Sequence, residues 1–375
     1  MSKRIMLSTP TMHGEEVGYI EEAFEKNWIA PLGFNCDEFE REMSTYLTGS
    51  ADDFYALSLC SGTAGLHLAY KLAGVKRGDV VLCSDMTFSA TVNPISYEGA
   101  KQVYIDSEYQ TWNMCPKALE KAFKKYPNAK VVALAHLYGT PSKMDEIIEV
   151  CNHYNAIIVE DAAEALSATY KGKQMGTFGK YGVISFNGNK IITTSGGGML
   201  LTDNKEARDK AFFWATQSRE KAIWYQHNEI GYNYRMSNVV AGIGRGQLKH
   251  LEEHRNKKEA IYQRYVEGLK GLPLIMNPYL QDTKPNFWLS CMLIDKGCAV
   301  SPMDVYEKLN NANIESRPIW KPMHMQPVFK DCDFVYVEDK PVNEDIFARG
   351  LCLPSDIKMT EEEQCKVIEV IKSCF

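Results

Sequence analysis

Residues 185–200 read SFNGNKIITTSGGGML, and the fold is decided by how this stretch is read. One lysine, Lys190, stands between two runs with the look of buried strands, boxed in by small polar residues and followed by three glycines. Lysine is among the residues least often fully buried. Here it either snorkels to solvent or supplies an amine to a dry pocket. The sequence upstream favours the pocket.

Moving outward, short apolar strands alternate with amphipathic helices. Residues 54–59 (FYALSL) read as a strand, and Ser61-Gly62-Thr63 then opens a helix whose apolar face is Leu66, Ala69, Tyr70 and Ala73. Strands are expected at 79–83, 103–106, 131–135 and 156–160, with helices after Phe88, at 116–125 and at 145–154. Continuous apolar strands between such helices indicate a mainly parallel sheet covered on both faces, an α/β fold. Residues 206–267 read as mostly helical. Beyond them come a strand at 287–294, a helix at 302–310, a strand at 314–318 and a closing helix with a Thr360–Glu363 capping box. A chain of 375 residues exceeds what one core usually supports, so two domains are expected: a large one at 1–250 and a smaller α+β one at 251–375.

The net charge of −6 and the absence of any basic block exclude a nucleic-acid surface. No apolar run is long enough to span a membrane, and the opening MSKRIMLSTP lacks a signal-peptide core, so the expected location is cytoplasmic. The eleven cysteines are odd in number and include no C-x-x-C pair, which reads as reduced core thiols. Gly242-Ile243-Gly244-Arg245-Gly246 does not follow a strand and reads as close helix packing, with no dinucleotide loop.

Three features converge on one chemistry. Ser61-Gly62-Thr63 ends a strand and begins a helix, a geometry that binds phosphate, although Ser61 also reads as a simple N-cap. Asp161, in Glu160-Asp161-Ala162-Ala163-Glu164, sits at the carboxyl end of a buried strand, where open α/β sheets bind ligands; capping of the next helix is the competing reading. With an amine at Lys190, these are the parts that pyridoxal phosphate requires. Phe88, after another strand end, offers a flat face for the ring or else packs in the core.

The chain resembles the DegT/DnrJ/EryC1/StrS sugar aminotransferases, a branch of the fold-type-I (aspartate aminotransferase-like) pyridoxal phosphate enzymes. The resemblance is carried by IAPLG at 29–33, SGTAGLHLA at 61–69, EDAAEAL at 160–166, SFNGNKIITTSGGGM at 185–199, GYNYRMSN at 231–238, RPIWKPMH at 317–324 and CLPS at 352–355. Many members have Gly-Glu-Gly-Gly where this chain has Ser195-Gly196-Gly197-Gly198, and a dehydratase branch replaces the lysine by histidine. The chain looks most like the 4-aminotransferases that make UDP-4-amino-4,6-dideoxy-N-acetylglucosamine for glycans or exopolysaccharide.

The resemblance implies that Lys190 is the catalytic, cofactor-linking lysine. Asp161 would pair with the pyridine nitrogen, and Glu164 would face the ring hydroxyl. Ser61, Gly62, Thr63 and Ser185 would hold the phosphate, with Asn233 reaching it from a second subunit and Phe88 lying on the ring. Asn27, Trp28, Ile29 and Ala30, with Arg317, Trp320, Lys321, Met323 and His324, would border the nucleotide sugar. An obligate homodimer is implied, with L-glutamate as amino donor and C4 of a UDP-linked 4-keto-6-deoxy-N-acetylhexosamine as acceptor. A GDP- or dTDP-linked sugar, aminated at C3 or C4, is the alternative.

Overall fold

Residues 4–375 are described by the structure, a computed structural model. Strands β1 (Tyr55–Leu59), β2 (Val80–Ser84), β3 (Lys101–Ile105), β4 (Val131–Ala135), β5 (Ile157–Asp161), β6 (Tyr181–Ser185) and β7 (Gly198–Thr202) match the apolar runs of the sequence. The strands of the last hundred or so residues include β8 (Leu274–Met276), β9 (Ser290–Ile294), β10 (Arg317–Pro318), β11 (Asp333–Val335) and β12 (Gly350–Leu353). The large sheet has the order β1-β7-β6-β5-β4-β2-β3-β11. It is mainly parallel, since only β7 runs against its neighbours β1 and β6.

Alternation along each strand sorts side chains to the two faces. Leu82, Val132 and Ile184 enter a core with Phe39 and Phe123 on one side. Val81, Cys83, Val131, Ala133 and Val183 enter a second core with Leu66 and Tyr70 on the other. Helices α1 (Glu15–Glu25), α2 (Phe34–Thr48), α3 (Gly62–Leu72), α4 (Pro116–Lys125) and α5 (Met144–His153) include the covers of both faces. On α4 the buried Leu119 and Phe123 each contribute roughly 1.5–3 kcal/mol by leaving water, which is how a helix with two lysines in its last turn stays docked.

The helices α6 (Lys205–Ala215), α7 (Asn238–Leu248) and α8 (Leu251–Gly268) leave residues 216–237 outside any helix, a correction to the expected run at 206–267. Gln217 and Ser218 take φ of 70° and 51°, which stops α6, and an isolated bridge pairs Arg219 with His227. The glycines of α7 are packing residues as read: a Cβ on Gly244 would stand 2.3 Å from the Phe39 ring.

The second sheet has the order β8-β9-β12-β10. Its core joins Ile261 and Tyr265 of α8 to Met292, Leu351 and Val367, and takes in Ile5 from the far end of the chain. Strand β9 starts at Ser290, later than expected, because Phe287 has φ 53° and breaks extended backbone. The helices of this region are α9 (Pro302–Asn311), α10 (Val342–Arg349) and α11 (Glu361–Lys372), and α11 opens with the Thr360–Glu363 capping box. Strand β11, short and unforeseen, leaves this region to pair in parallel with β3. All eleven cysteines are free thiols.

Candidate active site

A cleft of about 480 Å³ opens where β2, β4, β5 and β6 end and α3 begins. It gathers Ser61, Gly62, Thr63 and Ser185 on one side, and Asp161, Glu164 and Lys190 on its floor. Phe88 and Trp320 stand at its walls. Ser61 and Lys190, 129 positions apart in sequence, meet here because parallel strands bring their carboxyl ends to one edge.

Lys190 rides a short loop pinned on both sides by buried Phe186 and Ile192. Its backbone N–H donates to the Asn187 carbonyl at 3.0 Å, and its side chain is 11% exposed. The Nζ lies 3.3 Å from Glu164 Oε1. Glu164 Oε2 accepts the Tyr138 N–H at 2.7 Å, from a residue in the left-handed region at φ 52°. Burial pushes the Glu164 carboxyl up to about 7, against the opposing pull of Lys190. Both oxygens of Asp161 are held: Oδ2 accepts from Thr91 Oγ1 at 2.6 Å, and Oδ1 accepts from the Ala163 N–H at 3.0 Å.

Ser61 is the N-cap of α3, its Oγ accepting the Ala64 N–H at 3.1 Å. The first N–H groups of a helix have no intrahelical partner, so those of Gly62 and Thr63 remain for a ligand. Of the three glycines after Ser195, Gly198 serves this turn. A Cβ on Gly198 would fall 2.4 Å from Gly62 N, so β7 and the α3 turn touch backbone to backbone. Ser185 stands on the next strand, its Cβ 3.2 Å from where a Gly62 Cβ would lie. Phe88 is 58% exposed with its ring 5.5 Å from that of Trp320, so it faces the cleft and is not core.

Other expected residues lie elsewhere. Asn233 is exposed and lines a separate cleft of about 560 Å³ with Leu32, Arg219 and Tyr225. Asn27, Trp28, Ile29 and Ala30 are exposed beyond the first cleft, and Asn238 ties down the carbonyls of Trp28 and Ala30 at 2.8 and 2.9 Å. Arg317 pairs with Glu315 at 3.0 Å, Lys321 is exposed, and Met323 is buried in the core. His324 is a latch: Nδ1 meets Asp85 Oδ2 at 2.6 Å, Nε2 meets Glu344 Oε1 at 3.1 Å, and the ring stacks on Phe334. These carboxylates hold the imidazole above its ordinary pKa against its burial.

Sequence reasoning missed Thr91, Tyr138, His136 and Trp288. His136 directly follows β4 and lines the cleft, so the strand-end rule that found Asp161 also points to it. Its Nε2 contacts Glu160 Oε2 at 3.1 Å. Trp288 carried no local signal.

Residues 10–372 match the DegT/DnrJ/EryC1/StrS aminotransferase family. The chain belongs to that family. It is 49% identical over 381 residues to EpsN of Bacillus subtilis (strain 168), assigned as a pyridoxal phosphate-dependent aminotransferase, an alignment covering 100% of this chain and 97% of EpsN. It is 32% identical over 373 residues to the GDP-perosamine synthase of Escherichia coli O157:H7, covering 100% and 99% of the two chains. Among solved structures, the aminotransferase TlmJ from Streptoalloteichus hindustanus superposes with a TM-score of 0.88 at 25% identity, covering 98% of this chain and 97% of that one. The DegT/DnrJ/EryC1/StrS fold, that of the fold-type-I pyridoxal phosphate transferases, is therefore the fold of this chain. Among the described residues, no helix is long and apolar enough to cross a membrane.

Proposed function

We propose that this chain is a pyridoxal phosphate-dependent aminotransferase that moves the amino group of L-glutamate to C4 of a UDP-linked 4-keto-6-deoxy-N-acetylhexosamine. The observation that carries the reading is the Lys190 amine, 3.3 Å from Glu164 in a cleft that also holds buried Asp161 and the Gly62 turn. These residues fit the cofactor: the backbone cradle would be filled by a Cβ on Gly198, and an oriented carboxylate lies across the cleft from the free N–H groups. When bound, the cofactor supplies an electrophilic carbon and an electron sink.

The protein's own residues supply the rest. Lys190 would anchor the cofactor, and its amine, when free, would carry a proton from the donor α-carbon. Asp161 offers negative charge to a cationic ring nitrogen, an interaction worth roughly 4 kcal/mol at 4 Å in an effective dielectric near 20. Glu164 holds the lysine tip in place, and the aromatic walls restrict water.

A homodimer completes the site in this reading. Among the described residues lining the first cleft, Lys190 is the one lysine or arginine, whereas a nucleotide diphosphate needs several positive partners. Arg219, Tyr225 and Asn233 line the second cleft, and on the same 216–237 arm Trp224, Tyr225 and Ile230 are 64%, 80% and 83% exposed. Exposed apolar side chains close together on one arm fit an interface, and a second copy would bring the basic group to the first copy's cleft. The division into 1–250 and 251–375 belongs to the same proposal, with the second sheet inside the smaller unit.

A GDP-linked sugar is the second reading, favoured by the relative named GDP-perosamine synthase. Polysaccharide synthesis is the expected setting, in keeping with a relative named as a spore coat polysaccharide biosynthesis protein. The test is to incubate the holoenzyme and L-glutamate with UDP-, GDP- and dTDP-linked 4-keto-6-deoxy sugars. Amino-sugar and 2-oxoglutarate should form in equal amounts with the UDP-linked N-acetylated sugar. Turnover only with the GDP-linked sugar would replace the first reading by the second, and no turnover with any would reject both.

A further inference from the structure

Trp288 lies in the candidate cleft yet comes from a segment without any chemical motif. Its ring is 2% exposed, and Lys190 Nζ sits over it, 4.2 Å from the ring centroid. Its indole N–H donates to the Asn189 carbonyl at 2.7 Å, the carbonyl of the peptide that leads into Lys190. One side chain thus grips the lysine at both ends, by the backbone before it and by the ammonium at its tip.

Trp288 is itself held from several directions. Its N–H donates to Asn286 Oδ1 at 2.9 Å, and its carbonyl accepts from buried Lys258 Nζ at 2.9 Å. Asn286 Nδ2 in turn donates to the carbonyls of Glu164 at 2.6 Å and Leu166 at 2.9 Å. Between the two, Phe287 is at φ 53°, a region that bulky residues rarely occupy. Such strain persists where the surroundings over-determine it, and it clusters at functional sites.

We infer that Trp288 is a positioning residue for Lys190. Through Asn286 it fixes the lysine loop against the Glu164 turn, and its ring face holds the ammonium whenever the lysine amine is free. This rests on Lys190 being the amine that engages the cofactor. Trp288 also packs with Tyr138, Leu289 and Ile319, but a leucine would satisfy packing alone. Only the N–H and the ring face are specific to the proposed role.

Trp288→Phe keeps a ring face and removes the N–H; Trp288→Leu removes both. The first readout is the rate at which cofactor-free protein develops its visible band on mixing with pyridoxal phosphate, which requires no sugar or donor. With a hydrogen bond and a cation–ring contact each worth roughly tenfold at most, the rate should fall about 3–10-fold in Trp288→Phe and about 10–100-fold in Trp288→Leu. kcat should fall in the same order, with KM for the keto sugar within about twofold because the Trp288 ring is only 2% exposed. Rates equal in the two variants, or within about twofold of wild type, overturn the proposal. If Trp288→Leu does not fold, Trp288→Phe alone decides by the same threshold. A wild type that forms no band overturns the proposed function and this inference with it, whereas a normal wild-type band with unaffected variants removes only the inference.

Discussion

Replacing Gly198 by alanine tests the phosphate cradle more sharply than removing any polar side chain. The new Cβ would lie 2.4 Å from Gly62 N and 2.7 Å from Gly62 Cα and Ser61 C. Ordinary contact begins near 3.4 Å, so β7 and the α3 turn must separate by about 1 Å. The atoms met are backbone, and no side chain can rotate away. Overpacking of this kind costs about 1–3 kcal/mol of stability. The same shift withdraws the Gly62 and Thr63 N–H groups from the phosphate. A hydrogen bond to a charged group is worth about 1.5–3 kcal/mol, so losing the equivalent of one should weaken cofactor binding roughly 10–100-fold. The assay titrates cofactor-free protein with pyridoxal phosphate, following the visible band, beside a urea denaturation curve. Gly188→Ala is the control, since its Cβ meets nothing nearer than the Ser195 carbonyl at 3.9 Å and its affinity should hold within about twofold. A Gly198→Ala protein with wild-type affinity and an unchanged denaturation midpoint would refute the cradle.

Asp161→Asn should leave folding intact and lower kcat by about a thousandfold, the rate equivalent of a 4 kcal/mol interaction; near-normal turnover would deny it contact with the cofactor. Glu164, with its carboxyl pushed up to about 7, favours the folded state when neutral, so its contribution is complete below pH 4.5 and lost as pH rises through 7. Cofactor-free Glu164→Gln and wild type should therefore have similar stability at pH 5, with wild type weaker by about 3 kcal/mol at pH 8; the opposite order at pH 8 would contradict the sign. His324→Ala should destabilise by about 3 kcal/mol near pH 6 by stranding Asp85, which is fully buried. Because the histidine pKa is raised, that loss should shrink as pH climbs above 6.5 through the folded value. A pH-independent loss, together with a large rise in sugar KM, would make His324 a ligand contact and not a latch.

The fold and the cofactor side of the cleft were legible because each is written locally. Strand runs such as VVALA at 131–135 are continuous and apolar, and the Gly62, Asp161 and Lys190 segments all sit at strand ends that a parallel sheet brings to one edge. What escaped was written nowhere locally. Trp288 reads as the first turn of an apolar strand, and only the left-handed Phe287 aims it at a lysine about a hundred positions earlier. The 216–237 arm fell inside the stretch read as mostly helical, yet its Ile223, Trp224 and Tyr225 stand in the open and belong to no helix. His324 was grouped with Trp320 through the resemblance of the RPIWKPMH segment, but a turn after Trp320 sends it to Asp85 while Trp320 stays at the cleft. Strand β11 is three residues long, too short to show a period, and its partner β3 lies more than two hundred positions away.

The central claim is that Lys190 holds pyridoxal phosphate and that L-glutamate discharges it. The most direct measurement is the visible absorption spectrum of the reconstituted protein before and after L-glutamate, with Lys190→Ala beside it. Wild type should show a yellow band that bleaches on adding L-glutamate, and Lys190→Ala should bind the cofactor without that band. A wild-type band indifferent to L-glutamate would overturn the donor, and the same band in Lys190→Ala, or no band in either protein, would contradict the account at its root.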